Sequence, residues 1–430
     1  MPNLAIAGGN PVRTRPFPPW PQFDEREGKS LIDVLEGRNW GGYPFPNTLA
    51  ERLAERFAEC HGARHALCAA NGTVTIEIAL KAAGLIPGDE VIVPAYTFEA
   101  TAAPVLRLGG IPVFVDVLPE TYCIDPRAAE EAITPRTRAI LPVHLAMNMA
   151  DMDAIADLSA RHRLKVVEDC AHAHGAKWRG RGAGSLGDAG SFSMQTSKLM
   201  TAGEGGIITC NDDEIFELCQ SYSNCGRASQ ADRLGRRILG FNFRITEFQA
   251  AILLVQLRRL PEQTELRRIR SEQLSEGLRS VPGISLLGRT AGQTTRAVYC
   301  YVFKYHAEEF GGASRDRFVA ALEGEGIPCD GLFYEPVYRS GLFHVDPQDF
   351  PVLNARTAEQ LPWKKVRCPV AERAAYQESV WLPHQVLLGD DEDVDDIVRA
   401  VEKIHRHVDE LQRAEHPLIA LKSLNRAQRR

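Results

Sequence analysis

Apolar and polar positions alternate along this chain with two different periods. Residues 47–60 read NTLAERLAERFAEC, with apolar side chains at i, i+3, i+4 and i+7, which predicts an amphipathic helix. Beyond it, short apolar runs at 90–93, 111–117, 139–143, 165–167, 190–194 and 206–210 predict strands, with helical patterns such as 73–83 and 152–162 between them. Short apolar strands separated by helices predict an α/β layer architecture around a largely parallel sheet. The rhythm changes after about residue 245. EFQAAILLVQLRRLPEQTELRRIRSEQLSEGLRS predicts a long amphipathic helix interrupted at Pro261. An aromatic strand at 299–305, a helix at 315–324 and a closing helix at 391–412 are expected to follow.

These patterns divide the chain into an extended Pro- and Arg-rich arm (1–25), a large domain (26–270), a smaller C-terminal α/β domain (271–412) and a basic tail (413–430). The tail, ending HPLIALKSLNRAQRR, reads as a solvated terminus.

Composition narrows the function classes. With 430 residues the chain can bury a sizeable core, and a net charge of −6 gives no global attraction to nucleic acid or anionic membrane. No apolar run approaches a membrane span, and the first residues lack the apolar core of a signal peptide, so a cytoplasmic protein is expected. The ten cysteines contain no C-x-x-C pair, which speaks for reduced, buried thiols rather than a zinc knuckle or a disulfide framework.

Three segments carry candidate chemistry. In LCAANGTVTIEIALKAAG, a strand-like run ends at Asn71-Gly72-Thr73 and a helix starts at once. A helix N-terminus with a glycine suits a phosphate, with Thr73 adding a hydroxyl; a plain helix cap would need the same residues. In LKVVEDCAHAHGA, an apolar strand ends in Glu168 and Asp169, followed by His172 and His174. Alternation along a strand should point the two carboxylates to opposite sides, so one of them enters a site beyond the strand end. A salt bridge, a carboxylate holding a ring-nitrogen proton, or a metal site of Asp169, His172 and His174 are the open readings. In SFSMQTSKLMTAGEGG, Lys198 stands alone among small hydroxyl residues after Ser193. A desolvated lysine is a nucleophile toward carbonyls. A phosphate site, an acid and a lysine are together what pyridoxal 5'-phosphate (PLP) requires of a protein.

EDCAHAHGA, SFSMQTSKLMTAGEGG and GFNFRITEFQAAI, in this order, resemble the DegT/DnrJ/EryC1/StrS aminotransferases, from about Trp20 to the closing helix. The resemblance implies the fold-type I (aspartate-aminotransferase) architecture: a large domain with a mixed seven-stranded sheet, a smaller C-terminal domain, and a homodimer with shared active sites. It implies PLP, alternating with its aminated form PMP, as cofactor. Lys198 then matches the internal-aldimine lysine and general acid–base, and Asp169 the partner of the pyridinium nitrogen. Ser193, Gly72 and Thr73 match phosphate ligands, Phe98 the residue stacking on the ring, and His172 a position near the ring hydroxyl. Asn242 matches an asparagine reaching the partner subunit's phosphate. No metal is implied.

The glutamine-dependent cyclitol branch and the 3-amino-5-hydroxybenzoate synthases are the branches most resembled. They imply transfer of an amino group from L-glutamine or L-glutamate to scyllo-inosose or 2-deoxy-scyllo-inosose, as in aminoglycoside biosynthesis. Amino-hydroxybenzoate synthesis, a nucleotide-linked keto-sugar acceptor and a catalytically silent binding module are the alternatives. Tyr334 and His384 are candidate contacts for a polyol, Arg227 and Arg244 for a carboxylate, and residues 37–46 a loop over the site.

Overall fold

The computed structural model describes residues 2–42, 47–227, 238–346, 350, 363 and 365–415. Residues 43–46 of the candidate loop, and 416–430 of the basic tail, lie outside the described residues.

Seven strands form the main sheet: β1 (His65–Ala69), β2 (Glu90–Pro94), β3 (Ile111–Val115), β4 (Thr137–Ile140), β5 (Lys165–Asp169), β8 (Ala189–Ser193) and β9 (Gly206–Cys210), with β6 (Lys177–Trp178) and β7 (Arg181–Gly182) forming a hairpin outside it. Their spatial order is β1-β9-β8-β5-β4-β2-β3. β9 pairs antiparallel with both neighbours while the other pairings are parallel, so the sheet is mixed. Most of its residues are buried on both faces, β2 and β9 throughout, as their short apolar runs require. The expected strand at 111–117 ends at Val115, and Val117 makes an isolated bridge to Ile124.

The expected break at Pro261 does not occur: Glu247–Arg279 is one helix of 33 residues. Pro261 lies on the exposed side, while Leu260, Gln263 and Thr264 beside it are buried. Packing on both sides of the proline offsets its missing hydrogen bond. A second sheet follows, with β12 (Cys300–Tyr305) between β10 (Ile284–Leu286) and β13 (Ser379–Pro383), while β11 (Gln293–Thr295) joins β6. The closing helix also differs from expectation. It divides at His407 into Asp391–Arg406 and Val408–Arg413, which buries Leu411 and brings Glu410 to the backbone N–H groups of Asn3 and Leu4.

The N-terminal arm is therefore tied down along its length. Arg13 pairs with Asp393 at 2.7 Å and Asp396 at 2.8 Å, all three buried, and Arg15 reaches Asp390. Glu325 accepts from the N–H groups of Ala5 and Val12.

Candidate active site

At the carboxyl ends of the parallel strands lies a cavity of about 670 Å³, lined among others by Gly72, Thr73, Phe98, Asp169, His172, Ser193, Lys198 and Tyr334. This is where an open α/β sheet presents its ligand site. The side chains come from segments far apart in sequence.

β5 supplies the acid, and the alternation predicted for its last two residues is what the structure has. Glu168 turns into the protein, where Gly184, Leu186 and Gly187 donate backbone N–H bonds to it and His144 Nε2 lies 3.0 Å away. Ala150 N–H donates to His144 Nδ1, so the ring proton sits on Nε2 and is given to Glu168. Burial pushes the Glu168 carboxyl up, but His144 and the backbone donors outweigh it and hold the group below the usual range. Asp169 instead faces the cavity. Thr101 Oγ1 donates to its Oδ2 at 2.7 Å and Ala171 N–H to its Oδ1 at 3.1 Å, which fixes the plane of the carboxylate. Thr97 Oγ1, 2.9 Å from Thr101 Oγ1, completes a hydroxyl chain.

The phosphate-like corner is built by close approach. Asn71 caps the helix Gly72–Ala82, its Oδ1 accepting from Val74 N–H at 3.0 Å. A Cβ on Gly72 would stand 2.6 Å from Ser193 Cβ, so only glycine lets the helix start lie against the end of β8. The first amides of that helix and the Ser193 hydroxyl thus share one wall, an arrangement of donors suited to a dianion.

Lys198 sits on the loop after β8, buried, with burial lowering its amine to about 8 against the opposing pull of Asp169. Its Nζ lies 4.6 Å from the centre of the Tyr299 ring. Tyr299 also stacks on His172 at 3.9 Å, and its hydroxyl is 2.8 Å from Ser197 Oγ. Burial, followed by the Lys198 charge, holds His172 well below its ordinary value. Ala146 N–H donates to His172 Nδ1, which places the ring proton on Nε2, 3.2 Å from the Tyr334 hydroxyl. Tyr334 therefore accepts from His172 and keeps its own hydrogen to donate to another group. Phe98 is 52% exposed and stands at the rim, 6.0 Å from Tyr334.

The remaining candidates lie elsewhere. His384, expected to contact a polyol, is 2% exposed and lies behind the lysine loop, with Nε2 3.1 Å from the Ser197 carbonyl. His174 donates through Nε2 to the Ser193 carbonyl at 2.9 Å. Asn242 is exposed and bridges Asn224 rather than entering this chain's cavity. Arg227 and Arg244 line a separate groove of about 590 Å³. Thr101 and Tyr299 were not marked by sequence motifs; the one signal available was their place just after β2 and at the start of the aromatic strand.

Residues 21–402 match the model of the DegT/DnrJ/EryC1/StrS aminotransferase family. The chain is 46% identical over 95% of its length, and 99% of the relative's, to a putative L-glutamine:3-amino-2,3-dideoxy-scyllo-inosose aminotransferase of Streptoalloteichus tenebrarius. It is 37% identical, over 96% of its length and 99% of the relative's, to the L-glutamine:scyllo-inosose aminotransferase of Streptomyces griseus. The crystal structure of 3-amino-5-hydroxybenzoic acid synthase is similar with a TM-score of 0.79 at 35% identity, covering 94% of this chain and all of that one. The fold is that of the fold-type I aminotransferases, and the chain belongs to the DegT/DnrJ/EryC1/StrS aminotransferase family.

Proposed function

We propose that this aminotransferase uses PLP to move the amino group of L-glutamine to a keto-cyclitol. The observation that carries the reading is the buried Lys198 amine, lowered to about 8, in one cavity with Asp169 and the Gly72–Ser193 corner. These residues fit the cofactor: the helix start with Ser193 would take its phosphate, Asp169 its ring nitrogen and Lys198 its aldehyde. When bound, the cofactor supplies an electron sink for the carbanion formed at the substrate's Cα. Asp169, oriented by Thr101 and Ala171, holds a proton on the ring nitrogen. Lys198, partly neutral near physiological pH, takes and returns the proton at Cα. Tyr334 offers its hydroxyl hydrogen to a ligand oxygen.

The relatives' names support one class of acceptor. Identity is 46% to a protein named for an inosose that already carries an amino group, against 37% to one named for scyllo-inosose itself. We therefore infer an amino-bearing inosose of the 3-amino-2,3-dideoxy-scyllo type as the preferred acceptor. This moves the reading from the neutral inososes toward a cationic one. A homodimer is part of the proposal. Asn242 is exposed beside Phe241 (42% exposed) and Leu239 (83% exposed), an apolar surface that a second subunit would cover while Asn242 reaches that subunit's phosphate corner.

Incubation with L-glutamine and each inosose, followed by detection of the aminated cyclitol, tests this. The amino-inosose should give the larger kcat/KM. Amination of neither inosose would overturn the reading, and formation of an aromatic aminohydroxybenzoate would transfer the enzyme to the synthase branch.

A further inference from the structure

The lysine loop is held from outside its own domain. Near its base the ties are local: Met194 N–H donates to Gly205 O at 2.8 Å, Thr196 N–H to Gly203 O at 3.0 Å and Lys198 N–H to Gln195 O at 2.9 Å. At its tip, the carbonyls of the two residues preceding Lys198 are taken by distant rings. Trp20 Nε1–H donates to Thr196 O at 2.8 Å, and His384 Nε2 lies 3.1 Å from Ser197 O. A carbonyl can only accept, so His384 carries its proton on Nε2 and is the donor. Burial, then the neighbouring Arg267 charge, holds His384 well below its ordinary value and keeps the ring a neutral donor.

The two rings also touch each other. Trp20 and His384 meet edge to face with centroids 4.5 Å apart, a favoured aromatic geometry. Trp20 belongs to the N-terminal arm, which the Arg13 and Arg15 ion pairs fasten to the helix Asp391–Arg406. His384 follows directly on β13 of the second sheet. Arm and C-terminal region therefore meet on the outer side of the loop, while the cavity lies on its inner side.

We propose that Trp20 and His384 are a paired strut that positions Lys198, and that the arm is thereby part of the catalytic apparatus. This rests on the reading of Lys198 as the cofactor lysine. Two carbonyl contacts next to the lysine fix the peptide planes from which its side chain departs, and reacting groups tolerate displacements of only a fraction of an ångström. The alternative role for these residues, a wall of the acceptor site, does not match His384, which is buried and outside the cavity lining.

The test uses Trp20→Phe, which keeps an aromatic ring beside His384 but removes the N–H donor together with part of the indole. His384→Leu deletes the second donor, and His384→Gln places an amide N–H where Nε2–H stands. Hydrogen exchange of the 194–203 segment is followed in the cofactor-free protein, and kcat and KM in the loaded enzyme. Expected are faster exchange confined to that segment in Trp20→Phe and His384→Leu, and kcat lowered about tenfold in each with KM within twofold. His384→Gln should recover most of both. Native exchange and native kcat in Trp20→Phe would overturn the strut. A rise in KM for the acceptor with native exchange would make the pair a substrate wall instead. Exchange is read without cofactor or substrate, so it decides the strut even if no inosose is aminated.

Discussion

Two neighbouring carboxylates, Glu168 and Asp169, mark two regions with opposite purposes. Glu168 lies buried on the central strand β5, saturated by three backbone N–H groups and His144. Asp169, one residue on, turns into the cavity and keeps part of its surroundings open. Both are carboxylates at the end of one strand; the pleat of β5 alone separates the one saturated by protein donors from the one that faces the cavity. A buried charge with every acceptor site used holds loops together, whereas one with two protein donors and a cavity beside it is available to a ligand.

The largest contrast should come from removing each in turn. Asp169→Ala is expected to lower kcat about a thousandfold, because the charge proposed to hold the ring-nitrogen proton is lost, while thermal stability stays near native. A variant retaining a tenth of native turnover would dissolve the distinction. Glu168→Gln should do the reverse. Replacing an acceptor-only group by an amide leaves backbone donors facing an NH₂, and stability should fall by about 3 kcal/mol in chemical denaturation. The folded fraction should turn over within a few-fold of the native rate.

A third test sharpens the comparison through pH. Burial lowers His61 to about 4 and His174 to about 3, and holds His172 and His384 well below their ordinary values. Between these values and about 6.5 the unfolded chain binds protons that the folded one refuses. Stability should therefore rise with pH across this window and fall as pH drops below about 6.5, by about 1.4 kcal/mol per pH unit for each histidine. Denaturation curves between pH 7 and 5 measure it, and a flat profile would mean that the rings are charged in the folded protein. The smallest effect is expected from Thr101→Val, which frees one oxygen of Asp169. We expect about a tenfold loss of kcat, the size of one charge-assisted hydrogen bond, with unchanged stability. Equal activity would show that Ala171 N–H alone aligns the carboxylate.

Much of this site was legible in the chain because its parts lie at element ends that punctuate the sequence. Asn71-Gly72-Thr73 caps a helix, Glu168-Asp169 ends an apolar run, and Lys198 stands alone before a glycine-rich turn in which Gly203 adopts a φ of 83°. Local pattern carries such information. What it does not carry is which distant side chains converge. Thr101 and Tyr299 have no motif, and their roles arise only when β2 and β12 are brought to the same cavity. His384 shows the same limit from the other direction. The chain marks it as a polar ring that could face a polyol, yet which side of the lysine loop it occupies depends on how the arm and the C-terminal region dock. At Pro261 the local rule predicted a break, and burial along both flanks of the long helix overrode it.

Covalent trapping addresses the central claim, that the Lys198 amine in the Asp169 cavity carries the cofactor. The protein is loaded with PLP, reduced with borohydride, digested and mapped by mass spectrometry. One modified peptide is expected, bearing the reduced cofactor on Lys198, with no modification there in Lys198→Ala. Stable loading with the label on another lysine, or no label at all, would contradict it.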